Sequence, residues 1–157
     1  MSDHQALTIH TEAEKSDDLV RLTLTIDLPP GVHIEPHQPP EPYLIPTVLE
    51  VDGLSDVTVD YPTPTVKDLG WKDITLTVLE GTLRFVMTGR VNAGLERISG
   101  TLHYQPCVGG ACLPPRTIRW QSPVSGTTAY SVLHAFAARP DPVPASRSTS
   151  RSGRATA

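Results

Sequence analysis

The chain has 157 residues and a formal net charge of -4. Its length suits one domain with a core of its own, and its charge argues against a nucleic-acid partner, because phosphate binding needs a basic face. No run is long enough to cross a bilayer, and Met1-Ser2-Asp3-His4-Gln5 lacks the basic segment and apolar stretch of a secretory signal.

A first strand is predicted over Leu7 to Thr11. A second runs over Leu19 to Leu28, apolar at Val20, Leu22, Leu24, Ile26 and Leu28 with polar residues between, the period-two pattern of a strand with one wet face. Pro29-Pro30-Gly31 ends it. Further strands are expected over Val32 to Glu35, Tyr43 to Val51, Val57 to Tyr61, Ile74 to Leu79, Leu83 to Val91, Gly100 to Gln105 and Thr117 to Gln121. Turn signals separate them at Asp52-Gly53, Glu80-Gly81 and Asn92-Ala93-Gly94. Many short strands, 16 prolines and almost no helical periodicity point to an all-β fold, an immunoglobulin-like antiparallel β-sandwich. Trp120 is expected in its core. A short C-terminal helix is expected over Thr128 to Ala138, where Tyr130, Leu133 and Phe136 share a face before Arg139-Pro140. Residues 1–139 are read as the domain. Residues 140–157, rich in Ser, Arg and Pro, are read as a disordered tail that cannot bury enough surface to order itself.

The chemistry concentrates in Tyr104-Gln105-Pro106-Cys107-Val108-Gly109-Gly110-Ala111-Cys112-Leu113-Pro114-Pro115, which holds both cysteines of the chain. Thr101 to Gln105 and Thr117 to Gln121 alternate as strands, and Gly109-Gly110 gives the backbone freedom for a tight reversal, so the cysteines flank a hairpin tip. Directly opposed residues of an antiparallel pair lie roughly 4.5 to 5.5 Å apart at Cα, close enough for a disulfide. Such a bond adds little as a staple: a ring this small is worth only about 2 kcal/mol, and the hairpin already holds its ends together. A pair at a loop tip is open to another protein's thiolate, which exchange through a mixed disulfide requires. Placement therefore favours thiol–disulfide exchange over an inert bond.

The pattern Tyr-Gln-x-Cys-x4-Cys-x-Pro-Pro resembles the signature of the N-terminal periplasmic domain of the thiol:disulfide interchange protein DsbD family. Pro30-Gly31-Val32-His33-Ile34, Tyr43-Leu44-Ile45-Pro46-Thr47, Tyr61-Pro62-x-Pro64 and Leu79-Glu80-Gly81 look like that family in the same order, from roughly Leu19 to Gln121. The resemblance implies an immunoglobulin-like sandwich acting as a protein-disulfide reductase module. It would take electrons from a thioredoxin-like domain or a membrane electron-transfer protein and pass them to oxidised extracytoplasmic proteins. It implies that Cys112 is the attacking sulfur and Cys107 the resolving one, with no cofactor. It also implies a cap loop carrying an aromatic residue, here Lys67-Asp68-Leu69-Gly70-Trp71, with Trp71 as the lid, Gly70 as its hinge and Asp68 as an acidic neighbour. His33, Glu35 and Tyr104 are read as near the exchange centre; better-known members carry tyrosines where His33 and Glu35 fall, a departure that bears on the local tuning. The implied location is periplasmic or otherwise extracytoplasmic.

Other readings stand beside these. The domain could be a non-catalytic binding module with a structural bond, or a copper-binding domain in which His33 and His37 join the cysteines as soft-metal ligands; the reading adopted has no metal. Trp71 can equally be a packing residue of the sandwich. Tyr104 either packs inside or shields the sulfur of Cys107. Glu35 and Asp68, beside a thiolate, would raise its pKa and slow its attack.

Overall fold

The structure, a computed structural model, describes residues 4–68 and 75–135. Its thirteen described strands form three antiparallel sheets, and no helix occurs among the described residues. The longest ladders involve β1 (His4–Ser16), β2 (Leu19–Asp27) and β8 (Thr82–Val91). With β5 (Leu54–Asp60) and β13 (Gly126–Ala135) they make a sheet of order β13-β1-β2-β8-β5. The alternation read in β2 is the burial pattern found: Val20, Leu22, Leu24 and Ile26 are fully buried, and their cross-strand partners on β8 include Phe85 and Met87. Apolar residues at every second position are what allows one face of this sheet to be dry.

The facing side of the core comes chiefly from a three-stranded sheet, order β12-β9-β4, of β4 (Val48–Asp52), β9 (Arg97–Tyr104) and β12 (Arg116–Pro123). Leu49, Ile98, Leu102, Tyr104, Ile118 and Trp120 from these strands join the same buried cluster as β2 and β8. The architecture is thus the antiparallel sandwich the patterning predicts, with Trp120 inside it. Gly100 makes the close packing at Trp120 possible. A Cβ there would run into the Glu50 carbonyl oxygen and the ring of Trp120, so the position admits no side chain.

The third sheet carries the cysteines. Its order is β11-β10-β3-β7-β6, with β3 (Val32–Ile34), β6 (Thr65–Asp68), β7 (Thr75–Glu80), β10 (Cys107–Val108) and β11 (Ala111–Cys112). β9 and β12 pair from Tyr104/Arg116 to Arg97/Pro123 and feed directly into the β10–β11 hairpin.

Three expectations need correction. The helix over Thr128 to Ala138 is replaced through Ala135 by β13, which pairs with β1 over ten residues; residues 136–138 lie outside the described part. Thr127, Thr128, Tyr130 and Val132 favour a pleated surface, and β1, running on to Ser16 rather than stopping at Thr11, offers a long partner that overrides a weak helical face. The strand expected from Tyr43 begins only at Val48. Tyr43 lies in a turn closed by Leu44 N donating to Glu41 O at 3.2 Å, and Pro46 has no N–H for a ladder. Lys67 and Asp68, expected in a cap loop, end β6 instead, paired with Leu76 and Thr75 of β7. The Lys67–Glu80 ion pair at 3.0 Å helps tie β6 to β7. The tail 140–157 lies outside the described residues.

Candidate functional site

The reversal at Gly109-Gly110 has φ of 58° and 86°, the double left-handed turn that matches the twist of a two-residue hairpin. Val108 and Ala111 close it, and Cys107 lies directly opposite Cys112. Leu113 N donates to Pro106 O at 2.9 Å on the far side of that pair. The hydrogen-bonded character alternates along an antiparallel ladder, so Cys107 and Cys112 occupy the non-hydrogen-bonded position, where side chains approach most closely. Their sulfurs are bonded, with Cα atoms 3.9 Å apart, closer than pairing alone would bring them. The two half-cystines differ in environment: Cys107 is 1% exposed, whereas Cys112 belongs to the exposed residues of the sheet edge.

The register beyond Cys107 extends the site. Cys107 pairs on its other side with His33 of β3, and His33 pairs in turn with Glu80 of β7. Directly opposed residues share a face, so Cys112, Cys107, His33 and Glu80 form a row across four strands. Lys67 of β6 completes it through its 3.0 Å contact with Glu80. His33 is half-buried. Desolvation holds its imidazole below the ordinary value of 6.5, the Glu80 carboxylate pulls the other way, and the Lys67 ammonium adds to the lowering.

Glu35 is buried just past the end of β3, and burial pushes its carboxyl above the ordinary value. Its backbone carbonyl accepts a hydrogen bond from the Thr47 hydroxyl at 2.5 Å. Tyr104 is in the core cluster, opposite Arg116 on the neighbouring strand; burial drives its phenol pKa far up, with the Arg116 charge acting in the opposite direction. Of its two expected roles, packing is the one seen.

His37 is engaged elsewhere. Its Nδ1–H donates to the Thr47 carbonyl at 2.9 Å, and its ring stacks on Tyr61 with centroids 3.8 Å apart and planes 5° from parallel. Tyr61 sets its edge against Phe85, and its hydroxyl oxygen accepts from Leu49 N at 3.0 Å. Among the described residues, no group of three or more His, Cys, Asp and Glu is assembled to hold a metal ion. Gly70 and Trp71 lie outside the described residues, as does the side chain of Asp68.

From the sequence, Glu80 reads only as part of the Glu80-Gly81 turn and Lys67 only as the start of the cap-loop segment. Their place in the row depends on β3 pairing with β7 and β10, strands far apart in the chain, and no local pattern encodes that pairing.

This row has a chemistry of its own kind: a reducible bond with one accessible end, and an ionisable imidazole beside the buried end. The N-terminal family model of the thiol:disulfide interchange protein DsbD matches residues 2–122. Among solved structures, the N-terminal periplasmic domain of ScsB from Proteus mirabilis is similar at 17% identity and a TM-score of 0.61, over 79% of this chain and 49% of that one. The chain thus spans about half the length of that structure, and the likeness supports the sandwich fold. The reduced DsbD N-terminal domain of Neisseria meningitidis is 19% identical with a TM-score of 0.49, over 80% of this chain and 89% of that one. No curated protein matches the sequence. No helix among the described residues is long and apolar enough to cross a membrane. With the family match spanning most of the sandwich and the whole cysteine hairpin, the chain belongs to the DsbD N-terminal family.

Proposed function

We propose that the domain exchanges disulfides with partner proteins through Cys107 and Cys112, acting outside the cytoplasm as a protein-disulfide reductase module. Cys112 is the attacking sulfur and Cys107 the resolving one. The observation that carries this reading is the asymmetry of the bond. An incoming thiolate needs access to the sulfur it attacks, and the edge-strand Cys112 offers it where the buried Cys107 does not. The small ring adds the second argument, since a bond of this span contributes little to stability. The donor is a thioredoxin-like domain or a membrane electron-transfer protein, and the clients are oxidised extracytoplasmic proteins. No cofactor or metal takes part.

Trapping tests the roles. Cys107→Ser is expected to accumulate a mixed disulfide with thioredoxin, and Cys112→Ser to give none, because only the attacking sulfur is needed for the first step. Equal trapping by both variants removes the assignment. A redox titration tests the wider reading: an exchange centre should lie above about -300 mV, and an inert structural bond below it.

Trp71 is proposed as a removable lid over the pair, supported by its position in the sequence between β6 and β7, two strands of the cysteine sheet. Trp71→Ala should then speed alkylation of the reduced cysteines by a small reagent at every pH, without loss of fold. An unchanged rate assigns Trp71 to packing.

A further inference from the structure

Exchange through a dithiol has two steps with different proton requirements. In the reduced domain, the Cys112 thiolate attacks a partner disulfide, forming one S–S bond and releasing the first partner thiolate. The Cys107 thiol must then lose its proton before its sulfur can attack Cys112 and expel the second partner sulfur. Cys107 is buried. A buried thiol is a poor acid, because low-polarity surroundings penalise the thiolate. Bulk water has little access to take that proton.

His33 stands directly opposite Cys107 in the β3–β10 ladder. Opposed residues of an antiparallel pair have Cβ atoms about 4.5 to 5.5 Å apart on one face, within reach of an imidazole nitrogen and a thiol. We infer that His33 is the proton acceptor for Cys107 in the resolving step of disulfide exchange, an inference that rests on the exchange reading above.

The groups around the imidazole suit that role. Among the described residues, Cys107 of β10 and Glu80 of β7 flank it directly, Cys112 of β11 lies one strand beyond Cys107, Lys67 of β6 reaches it through Glu80, and Glu35 follows on its own chain segment. Desolvation, the largest influence, keeps the ring neutral at neutral pH and so able to accept a proton. Glu80 favours the charged ring, and its ion pair with Lys67 limits that pull. The step balances. The Cys107 proton passes to His33, the Cys107 sulfur bonds to Cys112, the Cys112–partner bond breaks, and the departing partner thiolate takes up the proton from His33. The dithiol is oxidised by two electrons and the partner disulfide is reduced. Run in reverse, the protonated ring returns the proton to Cys107 as it leaves.

A single-turnover reaction of the reduced domain with Ellman's reagent separates the steps, because each releases one coloured thiolate. The first release reports Cys112 attack and the second reports closure by Cys107. His33→Gln is expected to slow the second release tenfold or more while leaving the first within about twofold, in line with the gain a positioned base provides. The wild-type second step should fall off as pH drops through the imidazole titration. In the variant that limb should vanish, and the rate should simply follow hydroxide up to the titration of the thiol. His33→Phe, which keeps the site filled with an apolar ring, should behave as His33→Gln does. A second release as fast in both variants as in the wild type overturns the inference, and so does slowing by the same factor at every pH, which marks a structural role. Failure of the exchange reading looks different: the wild type itself then gives no second release, and Cys107→Ser behaves like wild type.

Discussion

The β13-β1-β2-β8-β5 sheet and the β11-β10-β3-β7-β6 sheet are built on opposite plans. The first has strands of up to thirteen residues, β2 and β8 paired without interruption from Leu19/Arg90 to Asp27/Thr82, and Leu22, Leu24, Ile26, Phe85 and Met87 fully buried. The second has strands of two to six residues, and its central row runs through a disulfide, a histidine and an ion pair. Apolar burial is what offsets the entropy of ordering a chain, so stability is concentrated in the first sheet. The second sheet adds Val32, Ile34 and Leu79 to the core, but the face that carries the disulfide, His33 and Glu80 is free of that task and can hold accessible and ionisable groups.

That division makes its sharpest claim where the two should fail independently. Phe85→Ala should cost about 3 to 5 kcal/mol of stability, measured by urea unfolding, because it empties the centre of the long sheet and removes the edge contact with Tyr61. The folded fraction of that variant at low temperature should still exchange disulfides. Gly100→Ala should cost about 1 to 3 kcal/mol or more, because the new methyl meets the Glu50 carbonyl and Trp120 with no flexible neighbour to give way. A smaller loss in either case would mean that stability does not rest on this core packing.

The reverse experiment acts on the cysteine sheet. Reducing the Cys107–Cys112 bond should lower stability by no more than about 2 kcal/mol, the value for a ring closed between residues five apart in sequence. Near-ultraviolet circular dichroism and a urea titration, with and without reductant, measure it. Unfolding on reduction would make the bond a staple and merge the two roles that the sheets keep apart.

The two regions also differ in how far the sequence reveals them. Strands β2 and β8 are legible residue by residue, because strict alternation leaves one arrangement that buries every second side chain. The cysteine hairpin is legible for a different reason: Gly109-Gly110 between two cysteines leaves few backbone options, and the family signature surrounds it. The opposition of His33, Cys107 and Glu80 is not legible, since it joins segments some 47 and 74 residues apart, counting from His33 to Glu80 and to Cys107. Strand β13 is hidden in the sequence because Tyr130, Leu133 and Phe136 suit a helix locally, while the availability of β1 as a partner is a long-range fact.

The smallest expected effect bears on whether the cysteine sheet gives up stability to carry its ionisable groups. Glu35 is 7% exposed, and burial raises its carboxyl above the ordinary value of 4.5. A carboxyl whose pKa is higher in the folded chain than in the unfolded one binds its proton more readily when folded. Its contribution is therefore most favourable below the unfolded value and is lost as pH rises through the folded one. At neutral pH the folded domain holds a charge that water would solvate better. Glu35→Gln removes that charge but keeps the side-chain shape, and it leaves the backbone carbonyl of residue 35 available to the Thr47 hydroxyl. The variant should melt at a higher temperature than wild type at pH 7. The gain should shrink as the pH falls and vanish below about pH 4, where the carboxyl is protonated in both states. Melting curves across that range decide the matter. A variant less stable at pH 7 would show that the carboxylate is stabilised by its surroundings, and the segment after β3 would then carry its charge at no cost to the fold.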